Sequence, residues 1–416
     1  MKICVIGFGA AGLAAARHAS VNHDCVVFEQ YESLGGTWVY TEDTGTNRFG
    51  LPIHTSMYRS LRTNLPKEIM GYPDFPIPEQ EQSYIPAKEI LNFLQLYANR
   101  FDLMKLVKFN HYVQNVEPVD NLWRVSVKDL LNDEEKEFMF DAVMVCNGHY
   151  HTPMYPTIPG METFTGEQFH SHDYRHPEIF TGKNVIVIGA GPSGLDLSLE
   201  IATKAKKVYL SRHRGSDEPK NVFPSNVEMR FEVSEIRGNK LTFDDGKEIE
   251  VDVIFYCTGY KYSFPFLSNK CGVVVEDNCV QPLYKHLIHI DHPTLCLIGL
   301  PYYVCAFSLF DLQVRYFLKH LDRGFKLPSK EEMIHDTEKE MEERKKQGLK
   351  RKQFHMMGTM QGDYYADLAK SGGLDPLPPV MADLHNFASQ KQLDDLINFR
   401  ENVYKILDPQ NFIQVK

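Results

Sequence analysis

The sequence predicts an α/β protein with two Rossmann-like dinucleotide-binding domains, the second inserted into the first. An apolar strand, a glycine-rich turn, a helix and a second strand follow one another over residues 3–29 and again over 184–212. A separation of this length suits two nucleotide domains better than a single sheet. The apolar run LCLIGL at 295–300 resembles a further strand that returns the chain to the first domain. These three observations predict the fold class.

A proline-rich stretch marks the predicted crossover between the domains. Residues 151–160 (HTPMYPTIPG) hold three prolines, which exclude both a helix and the interior of a sheet. We therefore expect the first domain to comprise residues 1–155 and 286–416, and the second to comprise 156–285. Residues 328–347 are highly charged and predict a helix whose surface is mostly solvated.

Composition excludes several classes of protein. The formal charge of −10 argues against a nucleic-acid partner, and no uninterrupted apolar stretch reaches the length of a membrane span. The eight cysteines show no C-x-x-C spacing, so we expect buried free thiols and a reducing compartment, the cytoplasm. Secretion is the alternative if a natural precursor carries a leader. The sequence leaves open whether the chain forms a homo-oligomer.

The first glycine fingerprint is Gly-x-Gly-x-x-Gly, directly after a strand and at the start of a helix. Its first glycine permits a tight turn, its second lets a pyrophosphate approach the backbone, and its third lets the helix pack on the strand. A glutamate ends the next strand, where a carboxylate can accept hydrogen bonds from a ribose diol. The predicted contacts are Gly7, Gly9, Ala10, Ala11, Gly12 and Glu29.

The second fingerprint ends differently, because its following strand leads into arginines and not into an acid. Guanidinium groups bind a 2′-phosphate that an acid would repel, so this site should prefer NADPH to NADH. Nicotinamide-to-flavin transfer is the common pairing of two dinucleotides, which places FAD in the first site. Without a dithiol, the flavin must pass electrons to oxygen or to another protein. The predicted NADPH contacts are Gly189, Gly191, Pro192, Ser193, Gly194, Ser211 and Arg212, with His213 and Arg214 completing the basic turn.

A longer motif narrows the class of protein further. Phe164-x-Gly166-x-x-x-His170-x-x-x-Tyr174 resembles the identifying motif of flavin-containing monooxygenases and lies just before the second fingerprint, as in that family. The resemblance covers nearly the whole chain and is nearest to the insect branch, which includes enzymes that N-oxygenate pyrrolizidine alkaloids. The vertebrate enzymes are longer and end in a hydrophobic anchor, which we do not expect here. Further family-like stretches are residues 34–38, 58–76, 147–149, 257–260 and 355–369.

The resemblance implies that the NADPH domain is inserted into the FAD domain and that the protein is an NADPH- and O2-dependent monooxygenase. In the family, NADPH reduces FAD, oxygen adds to form a C4a-hydroperoxyflavin, and a soft nucleophile takes the terminal oxygen. Tertiary-amine N-oxidation, as of pyrrolizidine-alkaloid-like substrates, or S-oxidation is then expected. By resemblance Asn64 is a catalytic candidate beside the flavin and NADP⁺, and Gln313 is a candidate on the FAD side. The other family-like cofactor candidates are Gly36, Thr37, Trp38, Thr258 and Gly259.

Three alternatives stay open at this point. A Baeyer-Villiger monooxygenase shares both fingerprints, but its related motif ends in tryptophan where this chain has Tyr174. A reductase would need a docking patch for a protein partner, and a non-catalytic protein would bind NADPH without turnover. The histidines at 170, 172 and 176 lack a ligand spacing, so no metal is expected, and His170 and Tyr174 are expected to link the domains. The aromatic residues at 302–303 and 307–310 either line the substrate pocket or fill the core.

Overall fold

The computed structural model describes residues 1–213 and 223–416, so Arg214 of the predicted basic turn lies outside the described residues. Seven α-helices form in this part of the chain. They are α1 (Ala10–Asn22), α2 (Ala87–Arg100), α3 (Pro192–Ala202), α4 (Ala306–Leu321), α5 (Lys330–Lys346), α6 (Gln361–Gly372) and α7 (Val380–Asp394).

The strands fall into two large sheets and several small ones. In chain order they are β1 (Lys2–Ile6), β2 (Asp24–Phe28), β3 (Val107–Lys108), β4 (His111–Val119), β5 (Leu122–Asp129), β6 (Glu134–Phe140), β7 (Ala142–Val145), β8 (Glu167–His170), β9 (Asn184–Ile188), β10 (Lys207–Ser211), β11 (Val227–Arg230), β12 (Val233–Arg237), β13 (Lys240–Phe243), β14 (Glu248–Glu250), β15 (Val253–Tyr256), β16 (Val274–Glu276), β17 (Cys279–Gln281), β18 (Leu283–Tyr284), β19 (Ile288–His289), β20 (Leu295–Leu297), β21 (Tyr404–Ile406) and β22 (Phe412–Gln414).

The larger sheet has the strand order β18-β19-β20-β7-β1-β2-β3. Its central strands are parallel, and β18 and β19 add an antiparallel edge. Strand β20 lies within the predicted run LCLIGL and pairs with β7, which confirms that the chain returns to the first sheet. Helix α1 packs against α4 on one face of this sheet, and its alanines are buried because their small side chains allow a close approach.

The smaller sheet has the order β11-β10-β9-β15-β8, and its strands are all parallel. Its strands come from residues 167–256, between two stretches that build the larger sheet. The predicted α/β architecture, in which one dinucleotide-binding domain is inserted into the other, is therefore confirmed. The domain boundaries stay a prediction, although β18, which the sequence assigned to the second domain, pairs in the larger sheet.

The structure also shows the state of the cysteines and of the charged segment 328–347. All eight cysteines are buried free thiols, as predicted. Helix α5 begins at a capping box in which Ser329 and Glu332 exchange hydrogen bonds, so the charged segment is indeed a helix. Its surface is not solvated throughout, because Glu340 accepts a hydrogen bond from the buried His286 ring and pairs with Arg344. None of the helices in the described ranges is long and apolar enough to cross a membrane.

Candidate active site

The first glycine turn leaves no room for a side chain. Gly7 has a φ of 97°, and a Cβ there would lie 2.6 Å from the carbonyl oxygen of Cys146. A Cβ on Gly12 would lie 1.9 Å from the carbonyl oxygen of Gly7. Helix α1 starts at Ala10 after the N-cap Gly9, with neither a capping side chain nor an acidic residue in its first turn. Its first N–H groups are thus available to a pyrophosphate.

Glu29 is buried directly beside this turn. It is 4% exposed, and its two carboxylate oxygens accept hydrogen bonds from the backbone N–H groups of Phe8 (2.7 Å) and Tyr31 (2.9 Å). Burial raises the pKa of Glu29 to about 7, against the opposing effect of these hydrogen bonds. Each oxygen retains a lone pair with which to accept a hydrogen bond from a ribose hydroxyl.

The segment Gly36–Trp38 closes over the first turn as a short 3₁₀ helix. A Cβ on Gly36 would lie 3.1 Å from the Cα of Gly9, so the two backbones touch. The buried hydroxyl of Thr37 has no hydrogen-bond partner within residues 1–213 and 223–416. The Trp38 ring meets the buried Phe307 ring edge-on, with the centroids 6.3 Å apart. An unpaired buried hydroxyl beside the pyrophosphate turn fits a polar ligand such as FAD.

The second glycine turn repeats the first with one informative difference. A Cβ on Gly194 would lie 1.8 Å from the carbonyl oxygen of Gly189, and a Cβ on Gly189 would lie 2.5 Å from that of Cys257. Gly191, by contrast, faces open space: apart from its chain neighbours, no atom of residues 1–213 and 223–416 lies within 4 Å of a Cβ there. Helix α3 begins at Pro192 without a capping side chain and without acidic residues in its first turn. The backbone at Gly191 is therefore shaped for the approach of a dinucleotide.

Backbone hydrogen bonds fix the residues that follow the second strand of each unit. The N–H of Gly7 donates to Phe28 (2.8 Å), and the N–H of Gly189 donates to Ser211 (3.0 Å). Glu29 and Arg212 are the next residues, so they occupy equivalent places beside the two turns. The Ser211 hydroxyl is buried and donates to the carbonyl oxygen of Phe231. The Arg212 guanidinium lies 5.3 Å from the centre of the Phe231 ring.

Two linkers, residues 147–154 and 257–263, form the junction between the domains. The N–H of Met154 donates to Gly259 (2.9 Å), and that of Lys261 donates to Thr152 (2.8 Å). The Thr258 hydroxyl donates to the carbonyl oxygen of Met154. The predicted cofactor residues Thr258 and Gly259 thus contribute to the pairing of the linkers.

The motif ending in Tyr174 also lies at the junction. The His170 ring donates from Nε2 to the carbonyl oxygen of Gly259 (3.1 Å), and the His172 ring donates to that of Ile53 (2.9 Å). The buried Tyr174 ring meets the Tyr58 ring edge-on. The contacts of His172 and Tyr174 join the smaller-sheet domain to segment 53–58 of the first domain, whereas His170 contacts the linker residue Gly259.

Sequence reasoning missed Arg175, which follows the motif. Its buried guanidinium donates to the carbonyl oxygens of Asp43 (2.9 Å) and Thr55 (3.3 Å), far away along the chain. A backbone carbonyl partner leaves no signal in the sequence, so only the fold shows this contact.

Histidines around the junction are neutral near pH 7. Burial lowers the pKa of His54 to about 3 and those of His149, His151 and His170 to about 4. The His54 and His151 rings stack with their centroids 4.8 Å apart. Neighbouring histidines add to the shift, because two charged rings at this distance would repel each other. No set of histidine, cysteine and carboxylate groups suited to a metal ion occurs in the described ranges.

The two remaining candidates lie in different surroundings. The Asn64 side chain is exposed and makes no hydrogen bond to another described residue. Gln313 is fully buried; it accepts from the N–H of Gly299 (2.8 Å) and donates to the Tyr364 hydroxyl (2.8 Å). Gln313 therefore supports the loop after β20 from inside the protein, whereas Asn64 remains accessible.

Comparisons with known proteins place the chain. The sequence profile of the family described as flavin-binding monooxygenase-like matches residues 1–223 and 216–381. A flavin-containing monooxygenase of Arabidopsis thaliana, FMO GS-OX5, is 38% identical over 394 residues, which is 90% of this chain and 86% of that protein. The chain belongs to the flavin-binding monooxygenase-like family. Senecionine N-oxygenase of Tyria jacobaeae is 32% identical over 422 residues, covering 99% of this chain and 91% of that protein.

A solved relative supports the same assignment. S-allyl-L-cysteine S-oxygenase from Allium sativum superposes with a TM-score of 0.89 at 33% identity, covering 96% of this chain and 94% of that one. The protein is thus a flavin-containing monooxygenase, and its cofactors are FAD and NADPH, as predicted. Within the aromatic run, Phe307 is buried in the core, whereas Tyr303 is 46% exposed.

Proposed function

We propose that this monooxygenase oxygenates soft nucleophiles, tertiary amines first, with NADPH and O2. The observation that carries the proposal is the equivalence of Glu29 and Arg212, one acidic and one basic, beside two glycine turns of the same geometry. Such a pair suits two dinucleotides that differ by a 2′-phosphate. Similarity to senecionine N-oxygenase along 99% of the chain supports an amine of the pyrrolizidine-alkaloid type as substrate.

The residues have distinct proposed roles. The first turn of α1 and Glu29 hold the pyrophosphate and ribose of FAD, with Gly36, Thr37 and Trp38 closing over them. The first turn of α3 and Arg212 hold NADPH. FAD, when bound, takes electrons from NADPH and activates oxygen. Asn64 has an accessible amide, and we propose that it donates a hydrogen bond in the space between the two cofactors.

The uncharged histidines at the junction support the proposal that the substrate is an uncharged nucleophile. An amine nitrogen or a sulfur accepts oxygen through a free lone pair, and an imidazolium beside it would protonate that lone pair or engage it in a hydrogen bond. Burial keeps His54, His149, His151 and His170 uncharged near pH 7. The paired linkers border this junction, where exclusion of water would favour transfer of oxygen to the substrate.

S-oxidation is the second candidate function. It is supported by the structural similarity to S-allyl-L-cysteine S-oxygenase. That enzyme is 33% identical to this chain, and senecionine N-oxygenase is 32% identical. The neutral junction suits a thioether as well as a tertiary amine, so the two substrates should be compared directly.

The test is product analysis of purified protein with NADPH and a tertiary amine, a thioether or a ketone. We expect N-oxide or sulfoxide formation that requires NADPH, and no ester from the ketone. Ester as the main product would support the Baeyer-Villiger alternative instead. NADPH binding without oxygenated product from any of the three would contradict the proposal and favour a non-catalytic protein.

We also propose a cytoplasmic location. The support is the set of buried free thiols, which is typical of a reducing compartment.

A further inference from the structure

Arg400 makes contacts in both dinucleotide domains. It lies in a 3₁₀ turn (Phe399–Glu401) near the C-terminus, and its side chain is 17% exposed. Its guanidinium donates to the carboxylate of Asp196 (2.6 Å), which belongs to α3 of the smaller-sheet domain. The same group donates to the carbonyl oxygens of Thr63 (3.1 Å) and Arg62 (3.4 Å), which immediately precede Asn64.

The carboxylate of Asp196 has a second partner in the first domain. The Tyr58 hydroxyl donates to its other oxygen. One helical turn further on, Glu200 accepts a hydrogen bond from the Ser60 hydroxyl (2.6 Å). An acidic face of α3 is thus held against residues 58–63, and Arg400 is the cation between them.

The position of Asp196 on α3 makes this contact relevant to the cofactors. The N-terminal turn of α3 holds the second fingerprint, and Asp196 lies two residues after Gly194. A displacement of α3 relative to residues 62–64 would therefore move the NADPH turn relative to Asn64. The planar guanidinium suits this role because it can donate to three acceptors in fixed directions at once.

We infer that Arg400 is a positioning residue that holds the Asn64 segment in register with the NADPH-binding helix α3. The inference rests on the proposed function, because it assumes that Asn64 and NADP⁺ act together. Without the Arg400 side chain, the carboxylate of Asp196 and two carbonyl groups lose a cationic partner, and the segment gains freedom. Loosening would separate NADPH oxidation from oxygen transfer, so more hydrogen peroxide would form for each NADPH consumed.

The experiment compares the holoenzyme variants Arg400→Ala, Arg400→Lys and Asp196→Asn with wild type. Arg315→Ala is the matched control, because Arg315 also pairs with a carboxylate, Asp311, and is 23% exposed, but lies on α4. The first readout is the fraction of oxidised NADPH recovered as hydrogen peroxide and as oxygenated product. The second is amide hydrogen exchange of peptides covering 58–66 and 192–200, which does not depend on activity.

We expect Arg400→Ala to lower kcat/KM for the amine about tenfold or more, because small displacements of positioned groups cost rates of this order. The peroxide fraction should rise severalfold, and exchange should quicken in both peptides, while FAD content stays unchanged. Arg400→Lys keeps one contact to Asp196 and should recover part of the coupling. The effects of Arg400→Ala and Asp196→Asn should be non-additive, since both remove one shared contact.

The result that overturns the inference is wild-type coupling and exchange in Arg400→Ala, or the same losses in Arg315→Ala. A uniform loss of thermal stability with unchanged coupling would also overturn it, because it would show a merely structural role. If wild type itself forms no oxygenated product, the proposed function fails, and the exchange readout alone then decides whether Arg400 fixes the segment.

Discussion

Glu29 and Arg212 occupy equivalent positions in the two βαβ units, each one residue after the carbonyl that accepts the N–H of the first fingerprint glycine. One is a buried acid and the other a partly buried guanidinium that lies over Phe231. We propose that the same backbone geometry places an acid beside the ribose of one bound dinucleotide and a guanidinium beside that of the other. This exchange of charge is the physical basis for assigning FAD to one unit and NADPH to the other.

Charge reversal at Arg212 should act on NADPH alone. Losing a charge-assisted contact to the 2′-phosphate should raise the apparent KM for NADPH by about 10- to 100-fold in Arg212→Glu. The KM for NADH and the FAD content should change little. Steady-state kinetics with both nicotinamides check this, with Arg237→Glu, an exposed arginine of the same domain, as the control. Equal losses of NADPH and FAD binding would contradict the assignment.

Substitution by alanine should have different effects at two glycines of the second turn, on NADPH binding at one and on stability at the other. Gly191 has a φ of −74°, and a Cβ there would meet no atom in the part of the chain that the structure describes, so Gly191→Ala should fold normally yet bind NADPH more weakly. Gly194→Ala places a Cβ 1.8 Å from a carbonyl oxygen and should destabilise the fold by about 1–3 kcal/mol or more. Thermal unfolding and NADPH titration of both variants measure the difference. Normal stability of Gly194→Ala would show that the turn is wrongly described.

FAD affinity should depend on pH through Glu29. Burial raises the pKa of Glu29 to about 7, whereas hydrogen bonds from ribose hydroxyls favour the ionised form. FAD binding should therefore strengthen as pH rises toward 7 and level off above it, by at most about tenfold for each pH unit. Fluorescence titration of apoprotein with FAD checks this. Glu29→Gln should bind more weakly with a flat profile, and an unchanged slope in that variant would refute the role of Glu29.

Acid should destabilise the protein partly through the junction histidines. Their folded pKa values, about 3 to 4, lie below the ordinary value of about 6.5, so the unfolded chain binds more protons between these values. Their contribution to stability is complete above pH 6.5 and is lost as pH falls toward 4. Between pH 7 and 4.5 the Tm of His54→Gln should fall less than that of wild type. The Tm of His335→Gln, which changes an exposed histidine, should fall as much as that of wild type. Identical slopes in all three proteins would rule out this contribution.

The sequence predicted the sheets and turns because each depends on local chemistry. Gly12 and Gly194 are required by contacts within their own turns, and their spacing shows this without a structure. Arg175 and Arg400 could not be predicted, because their partners are backbone carbonyls and a carboxylate far away in the chain. The prediction that the surface of α5 is mostly solvated was incomplete for the same reason, because Glu340 pairs with His286, which is distant in the chain.

The most direct test of the monooxygenase account is the fate of labelled oxygen. Purified protein is supplied with NADPH, ¹⁸O2 and a tertiary amine, and the product is analysed by mass spectrometry alongside NADPH consumption. We expect an N-oxide that carries one ¹⁸O atom, formed in proportion to the NADPH consumed. An N-oxide without label, or NADPH oxidation that yields only hydrogen peroxide with amines and thioethers alike, would contradict it.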